Sequence, residues 1–279
     1  MNKAVIFGAG GNGVKVFERV KDLVTVVYFT DNDEKDGVRR FMEFQLNLPQ
    51  NSINAILMLY IASTTGLNVI YEQLINEFLV PTDRIIRNEV ELPFLARLQF
   101  LESSAQYIYA RYICGCVCEA GVFQGEFAKR INEAFPDRAL FLFDTFEGFD
   151  NKDVAIEREM QYSAMDAGHL SITSVDLVLE KMPSRDKCII KKGLFPDTFD
   201  LWCEKFCFVN LDMDLYQPTK AGLEVFFPRL ERGGVILVHD YFHEHYSGVK
   251  AAVDEFTDQK KLTMLPIGDG SSIAIQKKF

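Results

Sequence analysis

Residues Cys114–Gly148, CGCVCEAGVFQGEFAKRINEAFPDRALFLFDTFEG, read as strand, glycine-containing turn, helix and second strand. An apolar run ends at Glu119, glycines follow at Gly121 and Gly125, and an extended apolar pattern resumes over Phe141–Phe143. Acids close both strands, Glu119 the first and Asp144 the second. In a doubly wound sheet both would reach the crevice at the carboxyl ends of the strands, a geometry that suits a nucleoside with its ribose. Any α/β domain carries glycines at strand-to-helix turns, so the turn alone does not specify a ligand.

Working outward from this unit, the chain of 279 residues has room for two domains, with 48% hydrophobic and 25% charged residues and no low-complexity or repeat signal. A formal charge of −10 argues against a generic phosphate-backbone binder, so no nucleic-acid partner is expected. Met1 and Asn2 run through Lys3 directly into a short apolar strand and glycines, unlike a secretory leader, and NAILMLYIA at 54–62 has strand length. The expectation is a cytoplasmic protein without a membrane partner. Cys114, Cys116 and Cys118 recur every second residue, which places them on one face of a strand and suits buried thiols better than chelation. Cys203 and Cys207 are read in the same way.

Residues 2–31 form a βαβ pattern with Gly8, Gly10 and Gly13 in G-x-G-x-x-G spacing and Asp31 closing the second strand. Asn54–Ala62 reads as a third strand, Leu67–Phe78 as an amphipathic helix and Arg84–Ile86 as a brief last strand. Such a short stretch cannot complete a two-half dinucleotide domain, which favours a mononucleotide, a sugar nucleotide or no ligand at Gly8–Gly13 over NAD. VIFGAGGNG and FTDND resemble the small Rossmann-like domain that precedes sugar acyltransferases of the sialic-acid type. The domains expected are therefore 1–90 and 91–279, with Asn88–Pro93 as a linker and a helix from Pro93 carrying Leu95, Leu98, Leu101, Ile108 and Tyr112.

Beyond Asp144, a polar insertion at 150–170 containing His169 reads as a lid, and a helix over Ser174–Met182 has Ser171 or Thr173 as its N-cap. Cys188–Ile190 reads as strand, followed by a loop from Lys192 and Gly193 to Asp197. Two further strands, Cys207–Leu211 and Val235–Val238, flank a helix over Pro218–Leu230 and end in Asp212-Met213-Asp214 and His239-Asp240. Adjacent acids at one sheet edge repel each other unless a cation sits among them.

These segments together resemble the macrocin O-methyltransferase family of S-adenosylmethionine-dependent enzymes that methylate sugar hydroxyls. The likeness rests on EAGVFQGEFA at 119–128, LFLFDTFEGF at 140–149, SVDLV at 174–178, KGLFPDTF at 192–199, LDMDLYQPT at 211–219 and GGVILVHDY at 233–241. It implies an α/β fold of two Rossmann-like domains, a small N-terminal parallel sheet and a larger class I methyltransferase sheet. It also implies that Glu119, Gly121, Val122 and Gly125 shape the methionine side of the cofactor pocket. Asp144 would hold the ribose, Thr145 and Gly193 would lie near ribose and adenine, and Asp212 would also touch the cofactor. Family members bind a divalent metal, usually magnesium, through positions matching Asp212, His239 and Asp240. His239 departs from the expected acid, and imidazole suits manganese, zinc or iron better than magnesium.

The implied reaction is metal-assisted methylation of a sugar or glycan hydroxyl, with Asp212, His239 and Asp240 as the catalytic set. Asp212, Asp214, His239, His243 and His245 are the candidates for general base, whereas His169 reads as an ordinary loop residue. Three alternatives stand beside it: a catechol-like small-molecule acceptor, a nucleotide-dependent oxidoreductase using Gly8–Asp31, and a cofactor-binding assembly module without turnover. A homo-oligomer is compatible with all of them.

Overall fold

The computed structural model describes residues 2–8, 11–30, 57–63, 67–77, 79–200 and 204–279. The chain divides into two compact units, Met1–Leu95 and Ala96–Phe279.

In the first unit, strands β1 (Asn2–Phe7), β2 (Val24–Thr30), β3 (Leu57–Ile61) and β4 (Ile85–Ile86) form a parallel sheet in the order β2-β1-β3-β4. The helices Gly11–Val20 and Leu67–Asn76 supply its layers. Val5, Phe7, Leu59 and Ile61 pack with the second helix, while Ala4, Ile6 and Tyr60 pack with Val16 and Val20 of the first. The split follows from the alternation of side chains along a strand. Gly8 has φ +115°, and a Cβ there would stand 3.3 Å from Ala62, so the turn after β1 demands glycine for conformation and space. Gly10 and Asp31 lie outside the described residues.

The linker expected at Asn88–Pro93 is instead the start of the helix Asn88–Ala110, with Pro93 inside it. Glu89 and Glu91 in the first turn favour the helix dipole. Proline cannot donate to the carbonyl four residues back, and Arg19 donates to that Glu89 carbonyl at 3.2 Å, which satisfies the acceptor that Pro93 leaves. Tyr112, expected on the buried face, falls beyond the helix end at φ +55° and is 90% exposed.

The second unit holds a seven-stranded sheet: β5 (Cys116–Ala120), β6 (Leu140–Asp144), β7 (Cys188–Lys192), β8 (Phe206–Leu211), β9 (Leu230–Val238), β10 (Met264–Pro266) and β11 (Ile273–Gln276). Their order is β10-β11-β9-β8-β5-β6-β7, parallel from β7 to β9 and antiparallel through β11 and β10. The closing hairpin of β10 and β11 carries no signal that the sequence analysis read as strand. Both faces of the parallel part are covered, which is why these strands are continuously apolar. Phe141, Phe143, Phe206 and Val209 point into one core with Phe226, and Val117, Leu140, Leu142 and Phe208 into the other with Leu101 and Ile108.

The chain order reverses between β5 and β8, so the carboxyl ends of these strands flank the switch point where an open α/β sheet binds ligands. Part of the expected lid is a regular helix, Asn151–Glu159, capped by Asp150, whose carboxylate accepts from the Lys152 N–H at 2.8 Å. The following helix, Val175–Lys181, takes Ser174 as its N-cap rather than Ser171 or Thr173; the Ser174 hydroxyl accepts from Leu177 N–H at 3.2 Å. No helix among the described residues is long and apolar enough to cross a membrane.

Candidate active site

A cleft opens at the carboxyl edge of β5, β6 and β8. Of the predicted cofactor residues, Gly121, Asp144, Thr145, Gly193 and Asp212 line it, joined by Asp214 from the candidate bases. Glu119, Val122 and Gly125 are not in its wall. Val122 is a core side chain, and Gly125, at φ +80°, has Val178 and Met182 where a Cβ would go. Gly121 is fixed by its neighbours: at φ +85°, its Cβ would fall 1.8 Å from the Asp212 carbonyl oxygen. Only a residue without a Cβ lets β5 and β8 close at the switch point.

Asp144 ends β6 facing the turn, and its carboxylate is already engaged. Oδ2 accepts from the N–H groups of Val122 at 2.7 Å and Phe123 at 2.9 Å, and Oδ1 from Phe146 at 2.7 Å. It ties the glycine-containing turn to the end of β6. Thr145 turns inward on its own loop, donating to the Gly148 carbonyl at 2.8 Å and accepting from Glu147 N–H at 3.2 Å.

Beneath the edge lies a polar cluster that sequence reading reached only in part. Glu119 is 1% exposed and accepts from Asn210 Nδ2 at 2.8 Å, its strand neighbour in register. Arg97, 6% exposed, donates to Asn210 Oδ1 at 3.0 Å and to Asp212 Oδ2 at 2.9 Å, with its guanidinium 4.0 Å above the Phe127 ring. Burial, reinforced by the Asp212 carboxylate, holds the Glu119 carboxyl well above the usual range. Arg97 and Asn210 were missed because a helical arginine and a strand asparagine have no motif. The available signal was a polar residue inside the otherwise apolar FCFVNL run.

Asp212, His239 and Asp240 converge just beyond β8 and β9. His239 Nδ1 lies 3.0 Å from Asp212 Oδ1 and 2.9 Å from Asp240 Oδ2, within ion-pair reach of both. One ligand atom from each residue thus faces a common point. The two separations from His239 match the ~3.0 Å edge between neighbouring ligands around a cation with bonds of about 2.1 Å. This donor set fits a divalent cation. Burial and Arg97 oppose a charged His239, but the two carboxylates prevail and raise it to about 9. Burial also opposes the ionised form of Asp212, but His239 and Arg97 win and hold its carboxyl below the usual range. Asp214 is pushed well above it, first by burial and then by Asp240 and Asp212.

The remaining histidines do not join this set. His243 accepts from His245 N–H at 3.3 Å and packs its ring 5.0 Å from Tyr246, though its charge still lowers Asp240. His169 packs its ring, tilted by 53°, 5.3 Å from that of Phe149, which lines the cleft.

With this geometry in view, comparison with known proteins is informative. A protein of Streptomyces olivaceus, 8-demethyl-8-(2,3-dimethoxy-alpha-L-rhamnosyl)-tetracenomycin-C 4'-O-methyltransferase, is 28% identical over 162 residues, 53% of this chain and 60% of the relative. The match therefore spans less than two thirds of that relative's length. The mycinamicin III 3''-O-methyltransferase of Micromonospora griseorubida is 27% identical over 178 residues, 59% of this chain and 69% of the relative. The solved O-methyltransferase NovP superposes with a TM-score of 0.58 at 19% identity, covering 77% of this chain and 99% of its own. The calicheamicin methyltransferase CalS11 gives 0.57 at 18%, covering 76% and 91%. Both show the class I methyltransferase fold. Residues 94–273 match the family described as macrocin O-methyltransferase (TylF), which is more than half of the sequence, and the chain belongs to that family.

Proposed function

We propose that this protein transfers a methyl group from S-adenosylmethionine to a hydroxyl of a sugar or glycan, assisted by a divalent cation. The observation that carries the reading is the convergence of Asp212, His239 and Asp240 beside a cleft at the switch point. Bound S-adenosylmethionine supplies an electrophilic methyl. A cation held by Asp212, His239 and Asp240 supplies positive charge that favours the ionised hydroxyl.

The chain's own residues do the positioning. Arg97 clamps Asp212 Oδ2 and leaves Oδ1 facing His239. Asp144 holds the turn after β5 in place. Phe123, Phe149 and Phe195 present apolar walls that limit water in the cleft. Asp214, in the cleft wall two residues beyond Asp212, is assigned the acceptance of the hydroxyl proton. Holding the hydroxyl in line with the methyl lowers the entropic part of the barrier to such a transfer.

The same reading assigns a nucleotide or sugar nucleotide to the turn of the N-terminal unit at Gly8–Gly13, within a domain spanning 1–90. Protection of that unit from proteolysis by UDP-sugars checks it. The main test is calorimetric titration of metal-stripped protein with S-adenosylmethionine, then with Mn²⁺ or Mg²⁺ and a panel of glycosides. Binding of the donor, with S-adenosylhomocysteine formed only when a glycoside is present, supports the reading. Binding of NAD without S-adenosylmethionine overturns it.

A further inference from the structure

Asp153 is a carboxylate of the cleft to which the reading above gives no part. It lies on the helix Asn151–Glu159, lines the cleft, is 8% exposed, and makes no hydrogen bond among the described residues. A carboxylate that faces a cleft without a protein donor keeps its acceptor positions open to a ligand. Its charged surroundings do not compensate it. Burial comes first and the Asp150 carboxylate second in raising it to about 6, Asp197 adds to the rise, and only Lys152 opposes. Glu157, one turn along, is not in the cleft wall; its Oε1 accepts from the Tyr216 N–H at 2.7 Å.

The same cleft contains Asp144, the residue that sequence reading assigns to the ribose. Three backbone N–H groups occupy its two oxygens, out of about four acceptor positions that a carboxylate offers. A ribose diol together with an adenine amine needs more acceptors than Asp144 has left. Gly193, Leu194 and Phe195 line the cleft along with Asp153, so an adenosine between the β6 and β7 loops would meet them together.

We propose that Asp153 accepts a hydrogen bond from a hydroxyl or amino group of the adenosine half of the methyl donor, completing a binding site that Asp144 alone cannot fill. The proposal rests on the methyl-donor reading given above. Its test uses the full chain, its Asp153→Ala and Asp153→Asn variants, and S-adenosylhomocysteine as the probe, by calorimetry and thermal melting. Asp153→Ala should weaken the probe on the order of tenfold or more, and Asp153→Asn, which keeps one acceptor oxygen, by less. Without ligand, Asp153→Asn should melt no lower than wild type, because an uncompensated charge has been removed. The melting shift produced by saturating probe should shrink. Wild type and Asp153→Ala binding the probe within about twofold of each other would overturn the assignment. So would a lower ligand-free melting temperature in both variants with an unchanged probe-induced shift, the pattern of a structural residue. Failure of wild type itself to bind the probe would strike the methyl-donor reading instead.

Discussion

Two stretches of the same sheet edge carry acids at strand ends and use them oppositely. At the β5–β6 edge, Asp144 accepts from three backbone N–H groups and braces a turn. At the β8–β9 edge, Asp212 and Asp240 flank the His239 Nδ1 at 3.0 and 2.9 Å, and the three ligand atoms face one point. Residue type and topological position are shared, so neither separates brace from site. What each carboxylate faces does: three backbone N–H groups on Asp144 fix a turn, whereas Asp212, His239 and Asp240 bring three side-chain ligand atoms to one point.

The largest expected effect tests this contrast directly. Asp212→Asn should lower turnover with Mn²⁺ by roughly 100-fold or more, on the several kcal/mol that a cation contributes to charge stabilisation. S-adenosylhomocysteine should still bind, as read by calorimetry. If turnover survives Asp212→Asn and is abolished by Asp144→Asn, the comparison is inverted.

Next comes Gly121→Ala, where the added methyl would overlap the Asp212 carbonyl at a left-handed backbone position. Chemical denaturation should show a loss of about 3 kcal/mol or more, with the two strand ends disturbed together. A neutral result would mean that the close approach of β5 and β8 is dispensable.

Asp144→Asn should cost about 2 kcal/mol, since an amide nitrogen or a neutral oxygen replaces charged acceptors facing three N–H donors. The same method measures it, and cation affinity should stay unchanged if the brace and the metal set are separate.

The smallest effect is in pH. Asp153 is raised in the folded protein to about 6 from 3.8, so its ionisation destabilises the fold at neutral pH. That penalty disappears as pH falls through the folded value towards the unfolded one. Between pH 7 and pH 5, wild type should therefore gain melting temperature relative to Asp153→Asn. Parallel melting curves for the two proteins would refute the burial argument for that carboxyl.

Much of the fold was legible before any coordinates. The apolar runs at 140–143 and 206–211 are continuous because helices cover both faces, and glycine with an acid at each strand end marks the crevice. The helix start at Asn88 was not legible: Pro93 signals a boundary, and the donor to the carbonyl it leaves comes from Arg19, remote in sequence. The C-terminal hairpin was missed because its strands are short and their pairing is a non-local event.

For the site, the sequence by itself determined which carboxylates reach the edge: Glu119, Asp144, Asp212 and Asp240 follow from strand endings alone. Tertiary structure decided what each does there. Arg97 arrives from a helix more than a hundred residues away in sequence to hold Asp212, and Glu119 is drawn under Asn210 and out of the cleft. Asp144 gives three acceptor positions to the turn it faces, while Asp153 lines the cleft with no hydrogen bond among the described residues. The physical reason is that periodicity and strand ends are local properties of the chain. Whether a carboxylate is satisfied depends on donors that only folding brings within 3 Å of it.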